Sequence, residues 1–328
     1  MILGIDTSNY KTSAAVTDAD RKILYERSEF LEVEQGERGL RQSVAFFKHS
    51  NVLPLFITEA FQTVDPSGIQ AVAVSDRPRR IEGSYMPVFL AGSNAAAIIA
   101  ASLGVPLYTF SHQEGHIEAV LAQEPEEGVP FLQFHLSGGT TECLVCRREG
   151  YHIESEVIGG TLDISIGQLI DRVGVRLGFP FPAGQFLDEI AGKADAPQGV
   201  RRIRCRDRKF NLSGIESEMM RRIDAMGASP ESAGTLVPEL FERIALLLYD
   251  AACQCAGSTG IDTVLMAGGV ASSRTIRSRL AELCRKPGSP AILWGNPKYS
   301  GDNAVGISLL GGRALRMDRS GRYDQGGS

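Results

Sequence analysis

The chain has 328 residues, 43% hydrophobic and 22% charged, with a net charge of −5 at pH 7. That composition is globular, and the length suits two lobes of roughly 150 residues each. It excludes a chain that is basic throughout. No apolar run reaches the ~18 residues of a membrane span, and the opening MILGIDTS shows no basic and apolar leader, so a cytoplasmic location is expected.

ILGID reads as a strand, TSNYKT as a turn, SAAVTD as a second strand and KILYERSEF as a third. Glu37–Lys48 and Asn51–Gln62 carry helical patterns. Ile69–Ser75 is a short apolar strand, Ser84–Leu103 a long helix of small residues, and Val105–Phe110 a strand running straight into the helix that opens at His112. After the acidic linker AQEPEEGVP the grammar restarts. Phe131–Ser137 is a strand, GGTT a turn, and Glu142–Arg147 and Tyr151–Val157 are strands, before a mainly helical stretch from Asp163 to Gly257. IDTVLMAGGVASSRTIRSRL then gives a strand, a glycine turn and a helix. Strand Ala291–Gly295, helix Asp302–Arg316 and a disordered tail follow.

Strand, hairpin and strand followed by helices, twice over, predict a duplicated α/β fold of the sugar-kinase, heat-shock-chaperone and actin superfamily. Its hairpin turns and a later glycine turn would converge on a nucleotide in the cleft between lobes. On pattern alone, a doubly wound α/β domain with an insertion reads similarly. The expected division is residues 1–125 as an N-terminal actin-like lobe completed by a helix at 302–318, residues 130–300 as the C-terminal lobe, and 319–328 as a disordered tail.

Six cysteines follow no disulfide-scaffold spacing. Cys143 and Cys146 form a C-x-x-C within strand-like ECLVCR, where residues three apart face opposite ways, so reduced thiols are expected. RRIRCRDRKF sets Arg201, Arg202, Arg204, Arg206, Arg208 and Lys209 against a single Asp. It reads either as a solvated loop or edge strand, or as an electrostatic footprint for a phosphate backbone.

Two of the five histidines stand in Ser111-His112-Gln113-Glu114-Gly115-His116. Ser111 followed three residues on by Glu114 is a capping-box signature, so a helix should begin at His112. His116 then lies one turn along on the same face. The positive end of the helix dipole disfavours protonated imidazole, and neutral imidazole is what a metal takes. A metal needs at least one more protein ligand, a carboxylate by preference. The alternative is two polar residues at the start of a surface helix.

The ordered set of motifs resembles the tRNA threonylcarbamoyladenosine transferase family, formerly labelled O-sialoglycoprotein endopeptidase, over nearly the whole chain. The family's H-x-E-G-H is present from His112 to His116, and its opening G-I-E-T-S appears as Gly4-Ile5-Asp6-Thr7-Ser8. Its S-G-G-H-T turn appears as Ser137-Gly138-Gly139-Thr140-Thr141, and G-E-A-x-D-K as Gly167 through Arg172. L-G-x-x-Y-P-G-G is similar to Leu177 through Gly184, and F-S-F-S-G to Phe210 through Gly214. A-G-G-V is intact at Ala267 to Val270, and T-D-N-G resembles Gly301 to Ala304.

This resemblance implies transfer of a threonylcarbamoyl group from its adenylate to N6 of adenosine 37 in tRNA, with AMP as leaving group. It implies one divalent ion, iron or zinc, held by His112, His116 and Asp302, beside an ATP, AMP or adenylate ligand. Ser137, Gly138, Gly139 and Thr140 would form one phosphate-facing turn, and Gly268 and Gly269 the other side of the nucleotide. Asp171, Gly184, Asp188 and Ser273 match positions that hold the nucleoside. Lys11 and Ser137 are the candidate catalytic side chains. The implied partners are tRNA, with Arg201 to Lys209 as a possible contact run, a homologous inactive subunit, an ATPase and a separate synthase of the adenylate.

Several positions depart from the family. The acidic residues after T-S are Asn9-Tyr10-Lys11, the S-G-G-H-T histidine is Thr140, and the asparagine of V-S-A-N-R is Ser273. The glycine-rich G-P-G-L segment is Arg77-Pro78-Arg79-Arg80. These changes suggest a divergent paralog. They keep two alternatives open: carbamoyl transfer to a small molecule or protein, and a non-catalytic metal- and nucleotide-binding subunit of a tRNA-modification complex. The peptidase label is rejected, because the chain has no H-E-x-x-H.

Overall fold

The computed structural model describes residues 1–8, 11–32, 41–121, 128–195, 197–295, 297–299 and 304–321. In chain order its strands are β1 (Ile2–Asp6), β2 (Lys11–Thr17), β3 (Ile23–Phe30), β4 (Ala71–Arg77), β5 (Leu107–Ser111), β6 (Phe131–Leu136), β7 (Thr141–Glu149), β8 (His152–Thr161), β9 (Lys209–Phe210), β10 (Thr263–Ala267) and β11 (Ala291–Trp294). Its helices are α1 (Gln42–Thr63), α2 (Leu90–Leu103), α3 (His112–Val120), α4 (Ile166–Arg176), α5 (Gly184–Ala191), α6 (Ser213–Met226), α7 (Pro230–Thr259), α8 (Arg274–Leu283) and α9 (Val305–Arg319). Contacts divide the chain into two units. One joins Met1–Val129, Arg147–Glu154 and Gly301–Ser328, and the other joins Pro130–Cys146 and Ser155–Ser300.

The sheet of the first unit has the order β3-β2-β1-β4-β5. β1 pairs antiparallel with β2, and β2 with β3, while β4 and β5 extend the sheet in parallel on the other side. Alternation along β1 decides which layer each side chain meets. Leu3 and Ile5 join Val16, Leu53, Val72, Val74 and Ala96 in the core with α1 and α2. Gly4 lies on the opposite face under α9, where a Cβ would sit 2.6 Å from the Ala304 carbonyl oxygen. Asp6 has the parity of Gly4. It therefore faces the side that carries α3 and α9, and this places the candidate site.

Helix α9 presses directly on α3. A Cβ on Gly306 would come within 1.9 Å of the Gly115 carbonyl oxygen, so only glycine permits that approach. Residues 42–63 form one helix where two were expected, because Ala45, His49, Leu53, Phe56 and Ala60 continue one buried stripe through the expected break. His49 Nδ1 is also fixed, 2.7 Å from Thr12 Oγ1. The expected start at Glu37 lies outside the described residues. The helix expected from Ser84 begins only at Leu90, after a 3₁₀ turn at Pro87–Phe89; proline lacks the N–H that a helix interior needs.

The sheet of the second unit has the order β11-β10-β6-β7-β8-β9. β6 pairs antiparallel with β7 and parallel with β10, which pairs parallel with β11. From its central strand outward this repeats the first unit: β8-β7-β6-β10-β11 against β3-β2-β1-β4-β5. β9 adds to β8 at Gly160 and Thr161, so it interrupts the stretch expected to be mainly helical. The buried face of α7, with Leu236, Leu240, Ile244, Leu247 and Ala251, anchors this unit's core. Cys143 and Cys146 are free and fully buried, and burial pushes the Cys146 thiol pKa up. Asp302 and residues 322–328 of the expected tail lie outside the described residues.

Candidate active site

The histidine helix starts as its sequence dictates. Ser111 Oγ accepts from the Glu114 backbone N–H at 3.2 Å, and the Ser111 N–H donates to Glu114 Oε2 at 2.7 Å, so the capping box is complete. This satisfies amides that the first turn would otherwise leave unpaired. His112 Nδ1 lies 2.8 Å from Asp6 Oδ2, and His112 Nε2 lies 2.8 Å from His116 Nε2. A carboxylate oxygen only accepts, so His112 donates from Nδ1 and turns the lone pair of Nε2 toward His116. Asp6 is itself fixed, 1% exposed, by Ser75 Oγ at 2.6 Å and the Ser8 N–H at 3.1 Å.

Two nitrogens bound to one ion at about 2.0–2.1 Å stand about 2.8–3.4 Å apart at octahedral to tetrahedral angles. The observed separation lies at the short edge of that range. A carboxylate on the far nitrogen is also the usual support of a ligating histidine. The pair therefore fits two ligands of a divalent metal. Among the described residues no group of three His, Cys, Asp or Glu forms a complete ligand set, and Asp302 lies outside them.

Helix α3 is clamped along its length by residues that sequence reasoning missed. Glu114 Oε1 accepts from His152 Nδ1 at 2.9 Å and from the Ile153 N–H at 3.1 Å. Burial raises the Glu114 carboxyl pKa, but the hydrogen bonds from His152 and Ser111 outweigh it and hold the group below the usual carboxylate range. Glu118, fully buried, pairs with Arg148 and with Arg21. The only signal in the sequence was polarity on a short helix, and the partners lie up to 97 residues away.

The first hairpin and the segment that ends β4 and follows it supply cations. Lys11 is the first residue of β2, not a turn residue, and its Nζ lies 5.1 Å from the centre of the Phe30 ring. Asn9 and Tyr10 lie outside the described residues. Arg77 pairs with Asp76, and the Pro78 carbonyl accepts from the Gln113 N–H at 3.1 Å, tying the Arg77–Arg80 segment to the first turn of α3.

In the second unit, Ser137–Thr140 is a tight turn that closes on itself. Ser137 Oγ accepts from the N–H groups of Gly139 at 3.3 Å and Thr140 at 3.0 Å. A Cβ on Gly138 or Gly139 would meet nothing within 4 Å. Gly268 differs: φ is +106°, and a Cβ would strike the Leu136 carbonyl oxygen at 2.2 Å. Gly167 in α4 also packs on the Ser137 carbonyl, whose oxygen a Cβ would meet at 2.5 Å, and Ser165 Oγ donates to the Gly138 carbonyl at 2.7 Å. The two turns and the start of α4 thus form one cluster.

The four nucleoside-site candidates are drawn into helix ends. Asp171 accepts from the Ala183 N–H at 2.8 Å, at the start of α5, which Gly184 opens. Asp188 accepts from the Ser273 hydroxyl and from the N–H groups of Arg274 and Thr275, at the start of α8. Ser273 caps that helix by accepting from the Ile276 N–H at 3.1 Å.

Residues 29–309 match the family described as TsaD, tRNA N6-adenosine threonylcarbamoyltransferase. The chain belongs to the tRNA N6-adenosine threonylcarbamoyltransferase family. The family's enzyme of that name from Anaeromyxobacter sp. (strain Fw109-5) is 28% identical over 332 residues, covering 98% of this chain and 96% of that protein. The one from Bacillus licheniformis is 28% identical over 338 residues, covering 99% and 95%. Among solved structures, full-length HypF in its phosphate- and nucleotide-bound form aligns with a TM-score of 0.58 at 16% identity; this chain is covered to 98% and spans 56% of that chain. A ROK-family glucokinase from Streptomyces griseus with glucose and AMPPNP aligns with a TM-score of 0.52 at 13% identity, covering 94% of this chain and 98% of that one. These likenesses show the duplicated actin-like α/β fold of the sugar-kinase class. No helix among the described residues is long and apolar enough to cross a membrane.

Proposed function

We propose that this chain transfers a threonylcarbamoyl group from threonylcarbamoyl-adenylate to N6 of adenosine 37 in tRNA. The N6 lone pair attacks the carbamoyl carbon, the bond from that carbon to the phosphate oxygen breaks, AMP leaves with the electron pair, and one amine proton is released. The observation that carries the reading is the Asp6–His112–His116 relay at the carboxyl ends of β1 and β5, where open α/β sheets bind ligands.

His112, His116 and Asp302 would hold one iron or zinc ion, which when bound supplies Lewis acidity toward the mixed anhydride. Asp6 fixes the His112 tautomer so that Nε2 stays available. A phosphate at the Ser137–Thr140 turn would take over the N–H groups of Gly139 and Thr140 and release the Ser137 hydroxyl to donate. Gly268 and Gly269 would border the nucleotide on the other side. Asp171 and Asp188, with Gly184 and Ser273, serve the nucleoside by setting the starts of α5 and α8. Lys11 would offer an ammonium to an anionic group of the substrate, at a position where the family motif carries a carboxylate. A homologous partner subunit, an ATPase and an adenylate synthase complete the system.

The cations of Lys11 and Arg77–Arg80 at the same end of the sheet favour a second reading, carbamoyl transfer to a small anionic acceptor. Elemental analysis of freshly purified protein tests the shared core of both readings. About one iron or zinc per chain is expected, lost in the His112→Ala/His116→Ala double variant. Equal metal content in the two proteins would overturn the proposed site.

A further inference from the structure

The Arg201–Phe210 segment lies outside the machinery described above, and its charge is organised. Arg202, Arg204 and Arg206 are exposed, whereas Ile203, 4% exposed, and Phe210, 2% exposed, enter the core of the second unit with Cys205 packed against it. This period of two gives every outward position from Arg202 to Arg206 to a cation. The chain then reverses through Asp207, with φ 48°, and Arg208, with φ 67°. Two left-handed residues in succession are the geometry of a type I′ hairpin turn, which favours asparagine and glycine.

The turn sets Arg206 and Lys209 directly opposite each other through backbone hydrogen bonds of 2.9 and 2.8 Å. Like charges so placed repel. The arrangement is nonetheless braced. Gln254 of α7 accepts from the Arg208 N–H at 3.0 Å and donates to the Cys205 carbonyl at 3.2 Å, and the Arg208 carbonyl accepts from the Gly160 N–H at 2.9 Å. Arg202 pairs with Asp250, and Arg208 donates to Ser258. Among the described residues the side chains of Arg204, Arg206 and Lys209 have no hydrogen-bond or ion-pair partner. A rigid arch thus holds unneutralised cations together in a chain whose net charge is −5.

We propose that this arch is an RNA-backbone contact surface, with Arg204, Arg206 and Lys209 each meeting a phosphate of the tRNA substrate. The inference rests on the transferase reading and adds where the RNA lies. Alternate residues of an extended segment stand about 6.6 Å apart, comparable to successive phosphates along a nucleic-acid strand. The arch exposes no large apolar side chain that could insert below a lipid headgroup surface.

The test compares the full chain with an Arg204→Gln/Arg206→Gln/Lys209→Gln variant for binding of a tRNA transcript between 50 and 200 mM salt. An AMP-binding measurement checks that the second unit is intact. Each phosphate contact contributes about 0.7–0.9 to the slope of log K against log salt. The variant should lose about 2–3 of that slope and bind tRNA about 10- to 100-fold more weakly near 100 mM salt, with AMP binding unchanged. Equal affinity and slope in both proteins would overturn this surface and leave the transferase reading standing. Failure of the unaltered chain to bind tRNA, with or without capture by phosphatidylserine vesicles, would overturn both.

Discussion

Asp6 is a single carboxylate that holds Ser8, by backbone and hydroxyl, together with Ser75 and His112. The sequence placed it in an opening motif but could not connect it to a histidine 106 positions on. The connection comes from strand parity, which turns Asp6 toward the α3 side. Asp171, Asp188 and Ser273 carry a second task that their motif positions do not announce: hydrogen bonds that set the starts of α5 and α8. If Asp6 orients His112, Asp6→Ala should weaken zinc binding about 10- to 100-fold, measured by chelator competition on folded protein. Ser75→Ala removes a buried hydrogen bond to the same carboxylate without touching His112, and should leave zinc affinity within about threefold. Equal losses in the two variants would reduce Asp6 to a general fold contact.

At the scale of elements, helix placement rests on close backbone approach and on acceptors at helix starts. Helical periodicity made α9 legible in the sequence, but its contact with α3 depends on Gly306 meeting the Gly115 carbonyl, which no pattern announces. Gly306→Ala should cost about 1–3 kcal/mol by forced separation of the helices. Gly312→Ala on the same helix meets only ordinary contacts at 3.6 Å and should be neutral or stabilise by up to about 1 kcal/mol. Thermal unfolding of both checks the pair, and a loss of similar size at both positions would contradict this packing account.

Asp163 illustrates the other device. Burial raises its pKa, but the Ser213 hydroxyl and the N–H groups of Leu212, Ser213 and Ile164 outweigh it and depress it well below the ordinary value. A depressed folded pKa means stability that is present above the unfolded value, near 3.9, and lost as pH falls through the lower folded value. The stability gap between wild type and Asp163→Asn should therefore be constant from pH 7 to about pH 5 and shrink below about pH 4. Urea unfolding across that range measures it, and a gap that widens with acid would contradict the assignment.

For the whole molecule, the strand grammar of the sequence carried the duplication. Its two runs of strand, turn and strand became the matching orders β3-β2-β1-β4-β5 and β8-β7-β6-β10-β11. What stayed illegible was non-local. The run that holds β9 reads as a solvated loop or an edge strand, but two residues do not announce their pairing with β8, and Arg147–Glu154 belongs with the first unit through partners such as Glu114 and Glu118. Family membership follows from motif order, yet Lys11, Thr140, Ser273 and Arg77–Arg80 change side chains beside the candidate machinery. Those changes make the transferred group and its acceptor the central issue.

The chemistry proposed for this chain stands or falls on what happens to an adenine base. Purified protein with threonylcarbamoyl-adenylate and an unmodified tRNA whose anticodon reads codons beginning with A would be digested, and its nucleosides weighed. Adenosine bearing a threonylcarbamoyl group is expected with the unaltered chain and absent with the His112→Ala/His116→Ala variant. Unmodified tRNA from the metal-loaded, unaltered chain, or equal modification by the double variant, would contradict it.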